Sequence, residues 1–257
     1  MQQTVQVSDL GNLEYKEAWD VQERLLKENV DRKLAARAEA SGNPAISTTQ
    51  HHLLLVEHPP VYTLGKSGQE ENVLINETEL AKRGIGYFRT NRGGDITYHG
   101  PGQLVGYPIL DLEKFYTDIG IYLRNIEEVI IRTISLYGLK GERSKGETGV
   151  WLDPGMPAKA RKICAIGVRC SRWITMHGFA LNVNTDLDYF NFIIPCGIRG
   201  KQVTSLAKEL GHPIDMQLVK HQLSEQFAKV FDVQIIASPD SDIFAPIQNR
   251  GFTNTLQ

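Results

Sequence analysis

Residues 92–103 read R-G-G-D-I-T-Y-H-G-P-G-Q, and the meaning of this stretch decides what the rest of the chain can be. Four glycines and a proline in twelve positions let a backbone pass close to a bound molecule, because glycine has no Cβ. The stretch is not a phosphate-binding loop, since neither G-x-x-x-x-G-K-[ST] nor G-x-G-x-x-G occurs in it. Composition alone also allows a plainer reading: two turns around a short strand, with His99 an ordinary surface or core histidine.

Working outward, residues 53–57 form an apolar strand stopped by His58-Pro59-Pro60, and 61–64 form a second. Upstream, Tyr15, Trp19, Val21, Leu25, Leu26, Val30 and Leu34 recur at helical spacing, which predicts an amphipathic helix over 14–40. The following S-G-N-P-A-I-S-T-T-Q is a loop by composition. Downstream, Ile119 to Tyr137 repeat apolar residues at i, i+3, i+4, i+7, and Gly138 marks the stop of that helix. Stretches 148–152 and 162–184 read as strands. A short helix over 205–210 ends at Gly211, and a last one from Asp215 turns Leu218, Val219, Leu223, Phe227 and Val230 inward.

The bulk numbers bound the class. With 257 residues, 41 % hydrophobic and 23 % charged, the chain can bury a real core as one large or two small domains. A net charge of −2 and a pI near 6.4 give no basic footprint for nucleic acid, though a local basic patch could still meet an acidic protein. Three cysteines without C-x-x-C point to reduced thiols, and no apolar run reaches membrane-spanning length. The first residues lack a basic, apolar leader pattern, so a cytoplasmic protein is expected. No composition shift divides the chain. One α+β domain over 1–257 is expected, with a core at about 12–232 and a polar tail at 238–257.

A second unusual stretch, N-F-I-I-P-C-G-I-R-G over 191–200, holds Cys196 between a proline and a glycine. Core filler, metal ligand and nucleophile are all open to such a thiol. A zinc site from His99, His177 and Cys196 would need spacings of 78 and 19 residues, which carry no metal signature.

The ordered set of motifs resolves the question by resemblance. Arg92-Gly93-Gly94-x-x-Thr97-Tyr98-His99-x-Pro101-Gly102-Gln103 resembles the signature of the lipoyl(octanoyl) transferases, members of the biotin/lipoate protein ligase fold. The likeness continues in 57–65 (E-H-P-P-V-Y-T-L-G), 148–151 (T-G-V-W), 162–168 (K-I-C-A-I-G-V), 177–182 (H-G-F-A-L-N), 194–198 (I-P-C-G-I) and 204–206 (T-S-L). The resemblance implies an α+β fold with a mixed central sheet flanked by helices. It implies a Cys196 nucleophile and a Lys162 that lowers its pKa. It also implies an acyl pocket made by Arg92, Gly93, Gly94, Asp95, Ile96, Thr97, Tyr98 and His99, by Ala165, Ile166 and Gly167, and by Gly178, Phe179 and Ala180.

The implied reaction moves an octanoyl (or lipoyl) group from acyl carrier protein to a lysine of a lipoyl domain. The acceptors would be lipoyl domains of 2-oxoacid dehydrogenases and the glycine cleavage H protein; neither nucleic acid nor membrane is an expected partner. A thioester donor is already activated, so no nucleotide or metal cofactor is expected. A thiolate suits thioester exchange, and a nearby ammonium favours the thiolate over the thiol. Tyr98, His99 and His177 could add polar contacts near the thioester. Strand alternation places Lys162 on one face with Cys164, Ile166, Val168 and Cys170, and Ala165 and Gly167 on the other with Arg169. Small residues at 165, 167, 178 and 180 would open a slot for the chain, so Gly178→Val should narrow it and leave the fold intact. Cys164 and Cys170 read as core cysteines. The rival readings are an octanoyl amidotransferase between lipoyl proteins, an ATP-dependent lipoate or biotin ligase, and a non-catalytic acyl-binding module.

Overall fold

The computed structural model describes residues 2–39, 49–194 and 202–237. The expected α+β class with a mixed sheet is what the chain forms. Strands β1 (Gln3–Asn12), β2 (His51–Glu57), β6 (Gln103–Ile109), β7 (Glu142–Arg143), β8 (Val150–Leu152), β9 (Arg161–Ser171), β10 (Ile174–Asn182), β11 (Gln202–Val203) and β12 (Val233–Ala237) make one sheet. Its order is β12-β1-β2-β6-β10-β9-β8-β7, with β11 added beside β9. The β12-β1-β2 end is parallel, and the centre through β6, β10 and β9 is antiparallel. A second sheet, β4-β3-β5, is built from β3 (Val61–Leu64), β4 (Gly86–Arg89) and β5 (Ile96–His99).

Helices cover both faces of the large sheet. Helix α1 (Tyr15–Glu39) lays Ala18, Val21, Leu25 and Leu26 on one face, against Val105, Tyr107, Met176 and Ala180. Helices α3 (Ile119–Ser135) and α5 (Met216–Phe231) pack on the other face over Leu53, Leu104, Phe179 and Leu181. Between β3 and β4 lies the short α2 (Glu77–Lys82), and α4 (Leu206–Leu210) precedes α5. Aspartates begin the two long covering helices: Asp118 accepts the Ile121 amide and Asp215 accepts the amides of Gln217 and Leu218. Gly211 closes α4 in the left-handed region, at φ +78°.

One local expectation is corrected, and two features lacked a sequence signal. Leu218 is 46 % exposed, because the buried stripe of α5 runs through Val219, Leu223, Phe227 and Phe231 and leaves 218 beside it. The long strand region 162–184 is a hairpin that turns at Arg172 and Trp173, both at positive φ (50° and 66°) without a glycine or asparagine to announce it. Strand β1 is absent from the sequence reading, since its residues Q-T-V-Q-V-S-D-L-G-N carry little apolar alternation.

Candidate active site

A cavity of about 560 Å³ opens between the large sheet and the β4-β3-β5 sheet, with the start of α1 at one side. Its size suits a small organic ligand. The glycine-rich stretch forms one wall through Arg92, Gly93, Gly94, Asp95, Ile96, Thr97 and His99. The floor comes from Ala165, Ile166 and Gly167 of β9 and from Gly178, Phe179 and Ala180 of β10. Lys162 stands at the same cavity, with Gly146, Glu147 and Thr148 beside it. Of the pocket residues the sequence singled out, Tyr98 alone stays outside. On β5 its side chain points the other way and stacks on Tyr189 at 4.7 Å, within a core shared with Tyr62.

Arg92 holds the glycine wall in place. Its buried guanidinium donates to the carbonyls of Thr63 (2.6 Å), Asp95 (2.7 Å) and Gly93 (3.0 Å), and to Thr63 Oγ1. Gly94 lies at φ +87°, and a Cβ on Gly65 would meet its carbonyl at 2.2 Å, so the turn can only close against a bare backbone. Gly167 plays the same part from β9, because a Cβ there would lie 2.9 Å from the Gly93 carbonyl. Gly178 acts differently from expectation. A Cβ at this position would reach the Gly106 carbonyl of β6 at 2.1 Å, so its smallness serves strand pairing, and Gly178→Val cannot leave the fold intact.

From Arg92 a chain of hydrogen bonds crosses the site, and its proton directions follow from the donors at each end. Arg92 donates to Thr63 Oγ1, so that hydroxyl donates onward to His99 Nε2 (3.3 Å). His99 Nδ1–H then donates to Gln103 Oε1 (2.8 Å), whose amide donates to the Tyr98 carbonyl and to Asn182 Oδ1. Asn182 donates to the Thr204 carbonyl (2.9 Å). Burial pushes the His99 imidazole down to about 3, with His58 and Arg92 adding repulsion of its cation. His99 is therefore neutral, with both ring nitrogens occupied, and holds the site together rather than exchanging protons with substrate.

His58 is equally committed: Nδ1–H donates to the Leu13 carbonyl and Nε2 accepts from Tyr107 Oη, both at 2.7 Å. His177 donates from Nε2 to Asn91 Oδ1 (2.7 Å), and its Nδ1 has no hydrogen-bond partner among the described residues. Desolvation pushes its ring down to about 3, aided by Arg92 and Arg169. Tyr15 lines the cavity, stacks on His99 at 5.9 Å, and has its phenol pushed up to about 12 by burial.

The placement of Lys162 corrects the alternation. Trp151 pairs with Lys162 but Val150 pairs with Cys164, so Ile163 is an extra residue, a β-bulge. Ile163 and Cys164 consequently both enter the core under α3 and α5, and Lys162 is shifted to the cavity side with Ala165 and Gly167. Its ammonium sits 4.7 Å from the Trp151 ring centroid. Burial pushes the Cys164 thiol well up, and that of Cys170 up as well, which suits inert core cysteines. Cys196 lies outside the described residues. On its far side the chain re-enters at β11, where Val203 pairs with Lys162 and lines the cavity, and the Thr204 amide donates to the Lys162 carbonyl (3.0 Å).

Several site residues had no sequence signal. Tyr15 reads as an ordinary helix aromatic and Tyr107 has no reading at all, whereas Asn182 closes the 177–182 motif, which could have marked it. Gln103 closes the glycine-rich signature, which could have marked it. Among the described residues no three or more His, Cys, Asp or Glu cluster as metal ligands, and no helix is long and apolar enough to cross a membrane.

The architecture is that of the lipoate ligases. A bipartite lipoate protein ligase from Thermoplasma acidophilum superposes with a TM-score of 0.62 at 16 % identity, over 95 % of this chain and 90 % of that one. Lipoate-protein ligase A bound with ATP gives 0.63 at 15 % identity, over 95 % and 92 %. Residues 14–228 match the model of the lipoyl protein ligase A/B catalytic domain, and the chain belongs to that family. An octanoyltransferase of Christiangramia forsetii is 58 % identical over 91 % of this chain and 99 % of its own length. An octanoyltransferase of Flavobacterium johnsoniae is 56 % identical over 92 % and 100 %.

Proposed function

We propose that the cavity receives an octanoyl thioester, that Cys196 takes the acyl group, and that Lys162 moves the protons. The chain is an acyltransferase, an octanoyltransferase of protein lipoylation, as its kinship to the two bacterial enzymes indicates. Its donors and acceptors are an acyl donor and lipoyl-domain proteins. The finer assignment is octanoyl-acyl carrier protein as donor, and lipoyl domains of 2-oxoacid dehydrogenases and the glycine cleavage H protein as acceptors. A cytoplasmic enzyme acting through a single catalytic domain, with 238–257 as a tail, fits this reading.

In the first half-reaction the Cys196 thiol gives its proton to Lys162, and the thiolate attacks the thioester carbonyl carbon. The new C–S bond forms as the bond to the pantetheine sulfur breaks, and Lys162 returns the proton to that leaving sulfur. Bond type is conserved, so this step is close to thermoneutral. In the second half-reaction the acceptor amine attacks the acyl-cysteine, losing its proton to Lys162 as the amide forms. The cysteine leaves as a thiolate, ready to be reprotonated. Dividing the transfer lets two bulky protein substrates react in turn at one cavity.

The observation that carries the reading is the bulge at Ile163. A strand that buries Ile163 and Cys164 in the core turns Lys162, two positions before Cys164, into the cavity, where it pairs with Val203 of β11. Intact-mass analysis after incubation with octanoyl-acyl carrier protein, without ATP, tests it. One added octanoyl mass, mapped to the peptide containing Cys196 and lost in Cys196→Ala, is the expected result. Full transfer by Cys196→Ala, or a strict need for ATP, would overturn it.

A further inference from the structure

We infer that Glu127 of α3 is a positioning residue for Lys162, acting through the turn at Gly149. The inference rests on the proposed role of Lys162. Glu127 is a fully buried carboxylate and the one charged residue among those that α3 buries. Its Oε2 accepts from Arg124 (2.6 Å) and Arg143 Nε (3.1 Å), so two guanidinium groups compensate the buried charge. Its Oε1 is spent elsewhere: it accepts the backbone amide of Gly149 at 3.1 Å.

Gly149 has φ +120°, a conformation open to glycine and closed to other residues. Its backbone lies so near β9 that a Cβ would stand 2.5 Å from the Cys164 carbonyl and 3.6 Å from Lys162 Cε. The turn that Glu127 anchors is thus the surface against which the lysine stem packs, while Trp151, two residues further on, faces the ammonium. Gly146, Glu147 and Thr148, the rest of the turn, line the cavity. The bulge at Ile163 sits opposite this turn, where the β8–β9 register shifts between Val150 and Trp151. A carboxylate of α3 therefore anchors the wall against which Lys162 packs. A carboxylate is suited to this place because it accepts at both oxygens; an amide would have to turn its NH₂ either toward the Gly149 N–H or toward the two guanidinium groups.

The test uses Glu127→Gln and Lys162→Ala, singly and together, in the full-length enzyme. Measured are octanoyl transfer and the pH profile of Cys196 alkylation, with thermal unfolding as the control for fold. Glu127→Gln should move the alkylation profile to higher pH and slow transfer roughly tenfold to a hundredfold, as a misplaced catalytic group does. In the Lys162→Ala background the same substitution should change transfer less than about twofold, because the group it positions is gone. Glu127→Asp keeps a carboxylate but shortens its reach to the Gly149 amide, should shift the profile in the same direction, and decides the matter if Glu127→Gln does not fold. An unshifted profile in a folded Glu127→Gln, or an equal loss in both backgrounds, would overturn the inference while leaving Lys162 in place. A Lys162→Ala enzyme that alkylates and transfers normally would instead remove the role of Lys162, and that of Glu127 with it.

Discussion

The ammonium of Lys162 stands 4.7 Å from the centroid of the Trp151 ring, so two residues paired across β8 and β9 also meet through their side chains. An aromatic face attracts a cation without accepting its proton. The Trp151 ring therefore attracts the lysine cation without competing for its proton.

Replacement of this lysine should separate charge from proton transfer. Lys162→Ala should raise the pH midpoint of iodoacetamide alkylation at Cys196 and slow transfer on the order of a hundredfold. Lys162→Arg should keep the midpoint near that of the native enzyme and still lose transfer, since a guanidinium hardly gives up a proton. Lys159→Ala is the control and should match the native enzyme in both assays. Equal alkylation profiles for all four proteins would exclude Lys162 from the site.

The floor of the cavity offers a cleaner test of acyl length than Gly178 does. Ala165 and Ala180 pair across β9 and β10, and both line the cavity. Ala165→Leu should favour hexanoyl over octanoyl thioesters at nearly native thermal stability. Gly178→Ala should instead destabilise, because its Cβ meets the β6 backbone; overpacking costs about 1–3 kcal/mol, or roughly 2–12 °C in melting temperature. An unaltered chain-length profile in Ala165→Leu would take this part of β9 out of the acyl slot.

The hydrogen-bonded chain through His99 predicts a loss out of proportion to the atoms removed. Gln103→Leu leaves His99 Nδ1–H, the Asn182 carbonyl oxygen and the Tyr98 carbonyl without their partner in a buried setting. Each stranded group costs about 1–3 kcal/mol, so urea unfolding should detect a loss of at least ~2 kcal/mol. A variant as stable as the native protein would show that the chain is not a structural unit.

Five buried histidines make the fold acid-sensitive. Burial pushes His51, His52 and His58 down to about 4, and His99 and His177 down to about 3. In the unfolded chain each titrates near ~6.5, so below that pH the unfolded state binds more protons than the folded one. Their contribution is intact above about pH 6.5 and is lost as pH falls toward 4, at up to about 1.4 kcal/mol per pH unit for each ring. Melting temperature recorded from pH 7.5 to pH 4.5 should fall throughout the lower half of that range. A flat curve between pH 6.5 and 5 would contradict the neutral, buried assignment.

Much of this arrangement is readable from the residues, and the exceptions have physical causes. The spacing of apolar positions marks α1, α3 and α5, and His58-Pro59-Pro60 divides β2 from β3, because both signals act within a few residues of each other. Most of the proposed pocket, from Arg92 to Ala180, does meet at one cavity. The direction of Lys162 was beyond alternation, since the extra residue at Ile163 is defined only by its pairing with β8. The role of Gly178 was hidden for the same reason: the atom it makes room for belongs to a strand some 70 residues earlier. Tyr15 and Glu127 carry no local mark at all. Their surroundings exist only after α1 and α3 have packed on opposite faces of the sheet.

The position of β1 between β2 and β12 also imposes an order in time. Gln3 pairs with Val233, so the outer edge of β1 must wait for a partner some 230 positions later. At synthesis rates of about 5–20 residues per second, the interval is roughly 10–50 s. By the end of it the strands of the antiparallel centre and the cavity walls have been made, yet the β12-facing edge of β1 is still unpaired. Long-range parallel pairing of this kind is slow and exposed to aggregation. That edge gains its partner only when residues 233–237 emerge.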